Sequence, residues 1–315
     1  MVTRLPPAAK LSLAVRKNVR EDYENKKESF DKELSDLLGA PWTFDFDPLA
    51  IYPYAESQHF CKEQPGTVLK LYVEGVMTSL KWLVEAYGEA GKKELNEIAH
   101  AHTIQLDVGE PEQIVRSTDS GTAVVDGKLV ILFKADGFGS NPHWALGEAS
   151  LFPAVNAAPG SQPMTFLARL GISKNYAEKA DPAKKKFKDM LQKDITLDPN
   201  FEEVFAKLLE ESKRPGNSIV DTPEWQLQFG RYVANYFDAM AYQMECLGFG
   251  TDEMLREGFN EGVESGVIKV RIVDALKRQR DCEVEIEDGV LYLQTTLEKW
   301  GWNPNNIGYN IGDLL

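Results

Sequence analysis

Cysteine is scarce in this chain. Cys61, Cys246 and Cys282 are the only three in 315 residues, and no two are spaced as CxxC. An odd, sparse set argues against a disulfide framework and for a reducing compartment. No Asn-x-Ser/Thr sequon occurs, which agrees with that placement. No run approaches the ~18 apolar residues a membrane-spanning helix needs. Histidine is scarce too: His59, His100, His102 and His143 all lie in the first half. Motifs that spell out a reaction are missing. There is no HExxH, no Cys/His cluster and no Gly-x-Ser-x-Gly, and His59-Phe60-Cys61 has no counterpart later in the chain. Gly248-Phe249-Gly250-Thr251 follows a predicted helix instead of preceding one. It therefore reads as a helix C-cap and the next N-cap, not as a phosphate cradle.

Positive charge is in the minority. Lys and Arg total 35 against 49 Asp and Glu, a formal net charge of −14. Such a surface repels phosphate backbones and anionic lipid, so nucleic-acid or membrane-surface binding is disfavoured. With 43% hydrophobic and 27% charged residues, the chain has the apolar material for real cores. Residues 1–20 are basic and contain no acid, as transit peptides do. That segment also belongs to the first of two repeats described next. The expected location is cytoplasmic, with organelle import as the alternative.

What the chain does have is a stretch written twice. DGKLVILFKADGFGSNPHW begins at Asp126, and DGVLYLQTTLEKWGWNPNN begins at Asp288. Asp126-Gly127, Leu129, Gly139 and Asn141-Pro142 answer Asp288-Gly289, Leu291, Gly301 and Asn303-Pro304 at one offset of 162. Upstream, the matches continue in order at smaller offsets. Lys17-Asn18, Phe30 and Leu34 answer Lys174-Asn175, Phe187 and Leu191 at 157. Asp47-Pro48 answers Asp198-Pro199 at 151, and Tyr72-Val73 answers Tyr232-Val233 at 160. The expected fold is α+β: two tandem copies of a unit of about 150 residues, each helix, strand, amphipathic helix pair and β-hairpin. Residues 10–152 form the first copy, 153–165 a Pro- and Gly-containing linker, and 166–315 the second. Two such copies are expected to pack as a pseudo-two-fold pair, with a ligand groove between them.

Within each copy the elements follow from pattern. Residues 10–38 read as helix, ended by Gly39, Ala40 and Pro41. Thr43–Asp47 alternates as a short strand, and 49–67 reads as an irregular connection. Residues 68–87 carry one apolar face at helical spacing, broken by Gly88 and Gly91. Asp126-Gly127 sits between two strand-like runs as a tight hairpin turn.

Candidate site residues cluster in the two Asn-Pro loops. Gly, Asn and Pro recur in both copies as turn grammar, whereas His143 and Trp144 of the first become Asn305 and Asn306 in the second. The divergent residues are where function would sit. The expected ligand-binding set is Asn141, His143, Trp144, Trp300, Trp302 and Asn303, with Trp300-Gly301-Trp302 partly exposed. His100 and His102, with Glu97 or His143, are candidate metal ligands. His143 and Asp136, with Asn141, are the candidates should the protein be an enzyme. The leading expectation is a non-catalytic binding or interaction protein, for a small apolar ligand or a protein partner. An enzyme centred on His143 and a structural subunit of an assembly are the alternatives. The sequence leaves the question of a cofactor open.

Overall fold

Ser12 starts the first helix: its hydroxyl accepts a hydrogen bond from the Val15 backbone N–H, the arrangement of an N-cap. The computed structural model describes residues 4–57, 59–158, 163–214, 224–278 and 281–315. Residues 10–38, expected as one helix, form two, α1 (Leu13–Asp22) and α2 (Lys27–Leu38), separated at Tyr23–Lys26. The break has a use. Tyr23 turns inward, is buried, and its hydroxyl accepts from the Phe46 N–H. Gly39, at φ 71°, caps α2, and β1 (Thr43–Asp45) follows.

The expected irregular connection over 49–67 is instead helical in short pieces. These are α3 (Pro48–Ile51), a 3-10 turn at Tyr52–Ser57, and α4 (His59–Glu63). Prolines that break a long helix are accepted in the first turn of a short one, where no N–H is needed. Pro65 opens α5 (Pro65–Ile98) in the same way. Gly88, at φ 57°, interrupts α5 where its apolar periodicity was read to end.

Strands β2 (Thr103–Val108), β3 (Ile114–Val115), β4 (Ser120–Val125) and β5 (Lys128–Phe133) complete the first sheet, in the order β1-β2-β5-β4-β3. β1, β2 and β5 run parallel, and β4 runs antiparallel to both of its neighbours, β5 and β3. Asp126 and Gly127 take φ 51° and 71°, the two positive values a tight two-residue turn requires. Helix α6 (Glu148–Asn156) ends this unit, so residues 153–156 of the expected linker are helical. Residues 159–162 lie outside the described ones.

The chain divides into two units between Gln162 and Pro163. The second unit holds α7 (Phe166–Asn175), α8 (Ala177–Leu191), β6 (Thr196–Asp198), α9 (Phe201–Glu211) and α10 (Trp225–Leu247). It continues with α11 (Glu253–Gly262), β7 (Val267–Ile272), β8 (Cys282–Glu287) and β9 (Val290–Thr295). Helix α9 went unread in the sequence, although Val204, Phe205 and Leu208 form its buried stripe. The Gly-Phe-Gly-Thr stretch behaves as read. Gly248 caps α10 at φ 88°, and the Asp252 carboxylate caps α11 by accepting from Met254 and Leu255 N–H.

The second sheet runs β6-β7-β9-β8, with β6, β7 and β9 parallel and β8 antiparallel. Its β8 edge is covered by one side chain. The Asn310 amide donates to the Val284 carbonyl at 2.8 Å and accepts from the Val284 N–H at 3.2 Å, as a neighbouring strand would. Among the described residues, no helix is long and apolar enough to cross a membrane.

Candidate functional site

The loop after β5 is fixed from below before it displays anything above. Phe138 is fully buried, against Phe133 at 5.3 Å and Tyr72 of α5 at 6.1 Å between ring centroids. The Gly139 N–H donates to the Tyr72 hydroxyl at 3.2 Å, and the Cys61 thiol donates to the Phe138 carbonyl at 3.2 Å. Burial pushes the pKa of the Cys61 thiol up, which disfavours the thiolate. Asn141, at φ 49°, starts a 3-10 turn, Pro142–Trp144. α5 meets that turn at Gly75, where a Cβ would collide with the Pro142 carbonyl oxygen and stand 2.9 Å from the His143 Cα. One turn further along α5, the Ser79 hydroxyl donates to the Ala145 carbonyl at 2.8 Å.

Held this way, the turn presents His143 and Trp144 at the surface, with ring centroids 5.5 Å apart. They form one wall of a cleft of about 330 Å³ built wholly within the first unit. α5 supplies Thr78, Ser79, Trp82 and Leu83, and the loop supplies His143, Trp144, Leu146 and Gly147. α6 closes it with Glu148, Leu151 and Phe152. Trp82 and Trp144 remain 40% and 49% exposed, although each is large and apolar enough to be buried. Tyr87 adds a second aromatic layer, edge-on to Trp82 at 5.8 Å and to Phe152 at 6.2 Å.

Charge in the cleft comes from Glu148. Desolvation by the surrounding apolar walls raises its carboxyl pKa above the usual value. Tyr87 is raised too, first by burial and then by the negative charge of Glu148. No hydrogen bond or ion pair among the described residues neutralises the Glu148 carboxylate.

The other residues singled out in the sequence do not gather here. Asp136 is exposed and Asn141 caps the turn, and neither lines the cleft with His143. His100 lies over the hairpin turn, where a Gly127 Cβ would meet its ring. His102 packs on Trp42 at 5.3 Å. Among the described residues no three His, Cys, Asp or Glu side chains group as metal ligands.

Trp300 corrects an expectation of exposure. It is 1% exposed, packed on Tyr236 at 5.3 Å and Phe229 at 6.3 Å, because the N–H of the next residue, Gly301, donates to Tyr236 and draws the loop onto the core. Trp302 is the exposed one, with the Lys299 ammonium 5.1 Å from its ring centroid. Asn303 starts a 3-10 turn at φ 42° and donates to Asp281 at 2.6 Å.

Trp82 and Glu148 were missed in the sequence. One sits on a helix whose apolar face was assigned to the core, and the other is one acid among 49 acidic residues. Compared with known proteins, the chain matches no family, no curated protein and no solved structure.

Proposed function

We propose that the chain is a non-catalytic binding protein for a small, partly apolar molecule held in the cleft of the first unit. The observation that carries this reading is the pair of exposed indoles, Trp82 and Trp144, facing one concavity of about 330 Å³. Ligand sites have this character: concave, mainly apolar, a few polar groups, and upward of ~300 Å³. His143 is the one member of the Asp136, Asn141 and His143 set on the cleft wall. Without its partners the imidazole lacks the relay a hydrolytic or acid–base centre needs, which favours binding over catalysis. We place the protein in the cytoplasm, a reading supported by three thiols, of which Cys246 is exposed.

The scaffold, in this proposal, arose by internal duplication, and details of each unit support it. Both sheets share the order parallel, parallel, antiparallel. Tyr72 and Tyr236, 164 positions apart, are buried hydroxyls that accept from Gly139 and Gly301 N–H. Leu38 and Leu191, 153 apart, are the last helical residues before positive-φ caps at Gly39 and Gln192. Thr43 and Thr196, also 153 apart, open the first strand of each unit. The copies have diverged at the cleft. Asn305, Asn306 and Asn310 stand 162 positions beyond His143, Trp144 and Glu148, and the Asn310 amide is committed to β8.

N-phenyl-1-naphthylamine, a neutral probe that fluoresces in apolar sites, tests the binding reading. It is expected to bind with one-to-one saturation, and Trp82→Ala and Trp144→Ala are each expected to weaken it at least about tenfold. Both side chains are substantially exposed, so their loss should leave the fold intact. Unchanged affinity in both variants would overturn the proposal.

A further inference from the structure

Among the described residues, Glu148 is the one carboxylate lining the cleft, and no hydrogen bond or ion pair engages it. Glu148 stands in the first turn of α6, directly after Gly147, over which the Trp144 indole lies: a Cβ on Gly147 would be 3.8 Å from Trp144 Cε3. Both indoles, Trp82 and Trp144, and the Glu148 side chain line the same cleft. The two hydroxyls of the cleft are committed as donors. The Thr78 hydroxyl donates to the Glu74 carbonyl at 2.9 Å, and the Ser79 hydroxyl donates to the Ala145 carbonyl at 2.8 Å. Both hydroxyl protons are used, so toward a ligand these groups offer lone pairs, as Glu148 does. Apart from the His143 ring and the indole N–H groups of Trp82 and Trp144, the polar cleft side chains present acceptors.

We propose that the cleft selects organic cations: an alkyl- or arylammonium ion held against the Trp82 and Trp144 rings with Glu148 as its counter-ion. The inference rests on reading the cleft as a small-molecule site and names the ligand class. Indole is the best of the aromatic rings at attracting a cation to its face, and the attraction strengthens where water is partly excluded. Glu148 is exposed at the cleft, and partial burial raises its carboxyl pKa, so its carboxylate is open to a cationic partner. An anionic ligand would meet Glu148 with only His143 to set against it. A polyhydroxylated ligand would find the Thr78 and Ser79 hydroxyl protons already committed.

The test uses the full-length protein at about 0.15 M salt, where long-range attraction to a chain of net charge −14 is screened. Calorimetric titration compares benzyltrimethylammonium with its neutral carbon isostere, neopentylbenzene. The cation is expected to bind at least about tenfold more tightly. Glu148→Gln removes one charge in so many and keeps the side-chain shape. It is expected to bring the cation down to the affinity of the isostere while leaving the isostere unchanged, and that second reading shows the cleft is still folded. Equal affinity of the two probes for the native protein would overturn the cation proposal and leave the small-molecule reading standing. Binding of neither probe would overturn both. A cation preference that survives Glu148→Gln would overturn the assignment of Glu148 as counter-ion.

Discussion

Asp22 shows how a single polar residue ties two helices together. Its carboxylate accepts from the Thr67 hydroxyl at 2.8 Å, from the Asn18 amide at 2.9 Å and from the Lys26 ammonium at 3.2 Å. The Thr67 bond is the main reason its pKa lies below the usual carboxylate value, with Lys26 adding to it. A depressed folded-state pKa means stability that is present above the unfolded value, near 3.8, and is lost as pH falls through the lower folded value. Asp22→Asn is expected to cost about 1 kcal/mol at pH 7, in line with one hydrogen bond to a charged group. In urea denaturation across pH 7 to 2, the gap from the native protein should close below about pH 4. A gap independent of pH would contradict the assignment. At this scale the sequence disclosed His143 and Trp144, because they depart from the Gly-Asn-Pro grammar their loop shares with residues 301–304. It hid Glu148, whose meaning depends on the absence of a nearby cation, a fact that only three dimensions carry. It misled on Trp300, since nothing in Trp-Gly-Trp says which indole the Tyr236 hydroxyl will pull inward.

Among the elements, α5 does most to position the cleft, since it supplies one wall directly and seats the turn that carries the other. The seat depends on close approach at Gly75, where a methyl group would meet the Pro142 carbonyl and the His143 Cα, neither of which is a flexible side-chain end. Gly75→Ala would improve helix propensity by up to ~1 kcal/mol if the helix were alone. Against that turn it is expected instead to destabilise the protein by about 1–3 kcal/mol, as overpacking does. It should also weaken the neutral probe, because His143 and Trp144 move with the turn. A rise in the urea midpoint with probe affinity intact would show that the turn can shift freely.

Element type was largely legible, but under the proposed duplication the register between the copies was not. Helical patterns placed Tyr72 against Tyr232, whereas the shared hydroxyl contact favours Tyr236, four residues away. Leu34 was placed against Leu191, whereas the helix ends favour Phe187, again four away. Four residues is about one turn, and an apolar stripe superimposes on itself after one turn. The first strand slipped by two for the same reason: Asp198 was set against Asp47, whereas strand registers favour Asp45, and a strand repeats every two residues. The hairpin did not slip, because only one Asp-Gly pair per copy meets the demand for two positive φ values.

For the whole molecule, the account joins two claims: a duplicated α+β scaffold and a site kept in one copy only. The chain divides between Gln162 and Pro163, and α6 runs four residues, 153–156, into the stretch that composition reads as a linker. The proposed site lies in the first unit, whose divergent His143 and Trp144 were the expected place for function, whereas duplication also suggested a groove shared by the copies. Asymmetry between the copies is therefore the central claim. Amide chemical-shift mapping of the full-length, isotope-labelled protein during titration with N-phenyl-1-naphthylamine tests it most directly. The account predicts shifts centred on residues 78–83 and 143–152, with residues 225–315 silent. Shifts centred on residues 300–310, or spread evenly over both units, would contradict it.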